Sequence, residues 1–214
     1  MSNVREQREF VSELDNRLHE LLRRTKLTTK SRYRASERLE LHHKFSQWTV
    51  SLISVALVFI PLVQTFGISA GIEVIYLNAT QATLAILVLV YSLLLGQENF
   101  ISRAQAMHRN GVELGRFARK LAGKGEKASD DEYSSLAEEY YDILEKYENH
   151  KPIDYLYTRL SDTPSNFNEW VMFISLWLKA RLMSLVIFSH YFVAIAFVCF
   201  IFYTLFASIV AHAK

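Results

Sequence analysis

The chain has 214 residues, half of them hydrophobic and a fifth charged, with a formal net charge of only +2. A balance so near neutral gives no reason in itself to expect a nucleic-acid partner, and the lone cysteine, Cys199, excludes an intramolecular disulfide and any multi-cysteine metal site. Seven glycines and three prolines leave little material for turns, so the composition predicts mostly long helices.

In chain order, Val4, Val11, Leu14, Leu18 and Leu21 recur close to heptad spacing among charged residues. This predicts an amphipathic helix with a narrow seam, packed onto the protein's own cytosolic helices or, alternatively, used for self-assembly. The first 44 residues are charged throughout, an expectation against a cleaved signal peptide. Within them, Arg23, Arg24, Lys26, Lys30, Arg32, Arg34 and Arg38 stand against one acid, Glu37, just before an apolar run. Two readings fit: a positive-inside flank held at an anionic leaflet, or a docking strip for an acidic or nucleic-acid partner, with Tyr33 available to stack on a base.

Residues 45–97 form two charge-free runs, 45–72 and 74–97, broken by Glu73 and a connection holding Gly67 and Gly71. At about 1.5 Å per residue, each run crosses the roughly 30 Å hydrocarbon core as a helix, so the pair reads as a transmembrane hairpin. Pro61 marks an expected kink near the end of the first span. Gln47, Ser51, Ser54, Pro61 and Thr65 share one face of it. Asn78, Gln81, Ala85, Ser92 and Gly96 form a matching stripe on the second span. Small and polar residues at this spacing serve helix packing, within the hairpin or between protomers; a water-facing stripe in an assembled pore is the functional alternative.

Beyond Gln97 the helix is expected to continue through Phe100, Ala104, Met107, His108, Gly111, Leu114 and Phe117, and to end at Gly123 and Gly125. Ser129-Asp-Asp-Glu132 reads as a capping box, opening a helix with Tyr133, Leu136, Tyr140, Leu144 and Tyr147 on its core side. Pro152 and Pro164 mark later breaks. Residues 167–179 are aromatic-rich and suited to the membrane interface. From Leu182 to Ala213 no charge appears apart from histidine, giving a third span longer than the bilayer core, which must tilt or leave a turn at the surface. His190 lies within it, an ionisable intramembrane residue and so a functional candidate, although its place near the start of the span would let it meet water.

Eleven Lys and Arg precede the hairpin, none lies in its connection, and twelve lie in 97–181. These counts place the N-terminus and 97–181 in the cytosol and Lys214 outside. No catalytic, cofactor-binding or metal-binding pattern stands out; His42 and His43 are adjacent and point to different helix faces. Cofactors are therefore expected to be none.

The run Ser31-Arg-Tyr-Arg-Ala-Ser-Glu-Arg-Leu39, the polar lead into Trp48-Thr-Val-Ser-Leu, Leu89-Val-Tyr-Ser-Leu93, and Arg103-Ala104 with His108, Gly111 and Leu114 resemble the SLATT effectors. These are two-transmembrane effectors of bacterial defence systems, and the resemblance covers about 27–160. It implies a bacterial inner-membrane protein that perforates or depolarises the membrane when a sensor partner releases it, killing the infected cell. One branch of the family accompanies retron reverse transcriptases, which would make a reverse transcriptase with its nucleic acid the partner. The third span departs from a bare two-span effector.

The fold class expected is an all-α membrane protein: a transmembrane helical hairpin plus a third C-terminal transmembrane helix, with long cytosolic helices. The segments are 1–44, cytosolic amphipathic and basic helices; 45–97, the hairpin; 98–181, a cytosolic helical region; and 182–214, the third span and tail. Expected partners are further copies of the chain, membrane lipid and a cytosolic sensor. The alternative function is a non-pore scaffold or small transporter subunit. A transporter should place polar or charged residues near the midplane of several spans, and here the midplanes contain Ser, Thr and Ala with no acid.

Overall fold

A computed structural model describes residues 2–66, 72–124, 129–161 and 163–212, with side chains from Leu14 onward except at 208, 209 and 212. The hairpin connection 67–71, Gly125, Lys214 and the side chains of Val4 and Val11 lie outside the described residues. The elements are six α-helices: α1 (Ser2–Thr65), α2 (Val74–Glu98), α3 (Phe100–Lys124), α4 (Asp130–Glu145), α5 (Pro152–Arg159) and α6 (Phe167–His212). No strand occurs among the described residues. The chain is thus an all-α membrane protein, with α1, α2 and α6 each long and apolar enough to cross a bilayer.

The amphipathic, basic and apolar stretches at the N-terminus are one uninterrupted helix of 64 residues, about 96 Å at 1.5 Å per residue. Its buried positions explain why. Leu14, Leu21, Thr25, Arg32, Ala35, Leu39, His42, Ser46, Thr49, Ile53, Ala56, Ile60 and Val63 are all buried, at steps of three, four or seven residues. That is a 3.5-residue repeat carried almost the length of the helix, the geometry of knobs-into-holes packing. Pro61 sits inside the helix, four residues before its end at Thr65.

The contacts divide the chain into two units, to each of which α1 and α6 contribute a stretch. One comprises Met1–Leu39 and Ile101–Met183. Its core joins Leu21 of α1 to Leu114, Phe117 and Leu121 of α3 and to Leu136, Tyr140 and Ile143 of α4, with Leu18 packed alongside. Of the N-terminal seam, Leu14, Leu18 and Leu21 are therefore packed within the chain. Ser129 caps α4 by accepting a hydrogen bond from the Glu132 N–H at 3.2 Å, and Pro152 opens α5.

The other unit comprises Glu40–Phe100 and Ser184–Lys214. Its core is aliphatic: Ile53, Ala56 and Ile60 of α1, Leu77 and Leu84 of α2, and Ala194, Val198, Ile201 and Leu205 of α6. The expected continuous helix through Gln97 is broken. α2 ends at Glu98, Asn99 takes a left-handed conformation (φ 43°, ψ 46°), and α3 starts afresh at Phe100. Asparagine is among the few non-glycine residues that visit this region readily, which is why no glycine or proline signalled the break. Gly123, expected near the end of that helix, lies within α3.

Candidate functional site

Three sets of sequence-selected residues can now be placed. The first is the small and polar stripe of the hairpin. The aliphatic core claims the inner faces of α1 and α2, and only Leu77 and Leu84 of α2 are buried. The aliphatic packing within the hairpin therefore does not use the stripe. Ser51, Asn78, Ala85, Ser92 and Gly96 are exposed, and Ser54, Pro61 and Gln81 are half-buried. Four of the stripe residues converge: Gln47 and Ser51 of α1 face Ser92 and Gly96 of α2 across a hollow of about 670 Å³, which His43, Trp48 and Phe100 also line. Asn78 is engaged separately, its Oδ1 accepting from Gln64 Nε2 at 3.1 Å.

The second is His190. It lies beside Tyr91 of α2, whose hydroxyl donates to the His190 backbone oxygen at 3.1 Å. The more telling histidine is His42, which sequence reasoning set aside. It is buried, stacked between Phe188 (centroids 4.3 Å) and Phe100 (5.0 Å), with Nδ1 3.3 Å from the Tyr191 hydroxyl. Apolar periodicity gave no signal for it, because the positions that follow it in the repeat, Ser46 and Thr49, hold polar side chains. This aromatic layer, with Phe45 5.5 Å from Phe188, marks a level. Lys44 is the last charge of α1 before its apolar run and Glu98 the last of α2, and α6 reaches the same level near Tyr191. From Tyr191 to His212 is about 33 Å at 1.5 Å per residue, enough to cross the hydrocarbon. His190 adjoins this layer, its ring centroid 3.9 Å from that of Tyr191.

The third set is the basic strip, two members of which, Arg32 and Arg38, are turned inward. Arg32 is only 2% exposed, and its guanidinium donates to the Glu148 carbonyl and lies 3.5 Å from Met107 Sδ. Burial pushes its pKa down, and burial likewise lowers that of nearby His150. Arg38 forms a two-pronged pair with Asp154 at 2.8 and 3.0 Å, the side chains 10% and 1% exposed. Tyr33 is not free to stack on a base: its ring lies against Gly111, where an added Cβ would come within 2.9 Å of it. Arg23 and Arg24 are exposed but share Glu20, and the hydrogen bond from Arg23, then that from Arg24, draws the Glu20 pKa down to about 2. Arg34 pairs with Glu37 at 2.9 Å; Lys26 and Lys30 are exposed.

What the strip does instead is clamp. Ser31 shares a hydrogen bond with Thr158, Ser36 donates to the Ala104 carbonyl, and Arg32 and Arg38 hold the α4–α5 connection and α5. Asp154 completes the arrangement by also accepting from the Lys151 N–H at the start of α5. Sequence spacing had no means of pairing residues 116 apart.

The fold and these sites define a helical membrane protein with one apolar unit built on α1, α2 and α6 and one polar unit clamped by α1. The chain belongs to the SMODS and SLOG-associating 2TM effector domain family 5, which it matches over residues 14–207. It is accordingly a membrane effector of a family associated with defence systems. The match runs well beyond 27–160 and includes almost all of α6, so the third long helix is part of the family's domain and no appendage to it. No curated protein and no solved structure matches the chain.

Proposed function

We propose that the protein is a membrane-perforating or depolarising effector of a bacterial antiphage system, seated in the inner membrane. A cytosolic sensor holds it silent, and it kills the infected cell on release. The observation that carries this reading is the outward hollow of Gln47, Ser51, Ser92 and Gly96. Polar side chains facing hydrocarbon are costly, and in a bilayer they are covered by another helix or wetted by a water-filled path. Three helices in one copy fill the space between them with side chains, so a conducting path takes several copies with these faces turned inward. Of the basic strip, Arg23, Arg24, Lys26, Lys30 and Arg34 remain on the surface for an acidic partner or anionic lipid.

The test is expression in bacterial cells loaded with a potential-sensitive dye. The Ser51→Leu/Ser92→Leu variant should insert at the wild-type level and depolarise the membrane at least about tenfold more slowly. A variant that inserts normally and depolarises as fast as wild type overturns the assignment of this surface.

A further inference from the structure

The clamp that α1 places on the polar unit encloses one titratable group that neither the clamp nor the proposed pore uses, His150. It lies in the connection between α4 and α5. Two residues before it, the Glu148 carbonyl accepts from the Arg32 guanidinium, which brings that cation close to the imidazole. His150 is half-buried, and its Nδ1 is buried with no hydrogen-bond partner among the described residues. Arg32 is placed alike: the residue is buried and its Nε also has no such partner.

The charges around the two are engaged elsewhere. Asp154 of α5 acts on both, yet its carboxylate oxygens already accept from Arg38 at 2.8 and 3.0 Å and from the Lys151 N–H at 2.9 Å. Glu148 is drawn into a pair with Arg103 of α3 at 2.9 Å. Met107 of α3 offers Arg32 a thioether, and the Tyr140 hydroxyl of α4 shares a hydrogen bond with Thr28. The buried guanidinium is thus held by a carbonyl and a sulfur. A second cation beside it is opposed twice, by burial and by like charge. Desolvation first and Arg32 second push the His150 pKa below its ordinary value, against the pull of Asp154.

We propose that the α4–α5 connection is a pH-sensitive latch, closed while His150 is neutral and opened when it takes a proton beside Arg32. The sign follows from linkage. At high pH the imidazole is neutral whether the connection is docked or free, and nothing is lost. As the pH falls through about 6.5, the freed connection binds the proton more readily than the docked one, so docking weakens until the lower, docked value is passed. The contact that gives way is Arg32 to the Glu148 carbonyl, and with it the hold of α1 on the start of α5. In the cytosol, where the charge counts favour keeping this unit, the latch responds to internal acidification. The proposal rests on the clamp and not on the pore, so its test needs no depolarisation.

Thermal unfolding of the full chain in detergent, at pH of about 7.5 and about 5.5, tests it. The wild-type melting temperature should fall by at least about 3 °C on acidification. In His150→Gln, which stays polar but takes no proton, the fall should be less than half as large. His108→Gln, at an exposed position of α3, should keep all of it. No fall in the wild type, or an undiminished fall in His150→Gln, overturns the proposal. Should His150→Gln not fold, hydrogen exchange of the wild type decides, once corrected for the intrinsic pH dependence of amide exchange. Protection of α5 should drop at least about fivefold between the two pH values while that of α3 holds. Protection of α5 that holds, or that is lost in parallel with α3, overturns the latch.

Discussion

Arg38 illustrates how much a single side chain's meaning depends on what lies far along the chain. In the sequence it is the last of the seven cations of the basic strip, and in the structure it is an internal tie to Asp154 with little exposure on either side. A buried pair is weak evidence of net stability, but removing one partner strands the other's charge, at a cost of about 3–5 kcal/mol. Asp154→Ala should therefore destabilise the polar unit by that order, whereas Glu37→Ala, which breaks the exposed pair with Arg34, should cost under about 1 kcal/mol. Thermal unfolding in detergent measures both. Equal small losses would show that the α1–α5 clamp contributes nothing to the fold. It follows that reversing the charge of Arg32 or Arg38 reports on folding, and only Arg23, Arg24, Lys26, Lys30 and Arg34 are fit positions for testing partner docking.

At the level of elements, the 3.5-residue repeat of α1 is the organising feature. Among the described residues it was legible from Leu14 to Leu21, where the seam is aliphatic, and hidden beyond, where the same positions hold Thr25, Arg32, His42, Ser46 and Thr49. A search for apolar periodicity cannot see a seam filled by threonine, arginine and histidine. Leu39 and Leu41 give a direct test because they are two residues apart, 1% and 46% exposed. Leu39→Ala should cost about 2–5 kcal/mol, the usual range for truncating a buried leucine. Leu41→Ala should leave stability within about 0.5 kcal/mol. Denaturant titration of the two variants decides it, and a comparable loss from Leu41→Ala would contradict the seam.

For the whole molecule, the charge distribution makes the prediction. Eleven cations before the hairpin and twelve between it and the last span favour keeping both stretches in the cytosol, and three crossings then put the C-terminus outside. A reporter that works only outside the inner membrane, fused after Lys214, should be active, and the same reporter placed before Leu14 should be silent. Activity of a cytosol-only reporter after Lys214 would instead leave α6 entering and leaving on one side.

Segregation of charge along the chain was by itself enough to determine an all-helical membrane protein with a hairpin and a third apolar helix. The reason is physical: in hydrocarbon every backbone polar group must be satisfied within its own segment, so long charge-free runs have few alternatives to helix. The family resemblance could likewise be drawn from local motifs, because these survive in sequence order. Tertiary structure alone decided which members of each pattern face inward. It turned the hairpin's polar stripe outward by giving the core to Ile53, Ile60, Leu77 and Leu84, and it drew Arg32 and Arg38 off the surface through contacts 116 residues away. It also buried His42 by stacking Phe188 on it. Each of these depends on pairing residues distant in the chain, which composition and spacing do not encode.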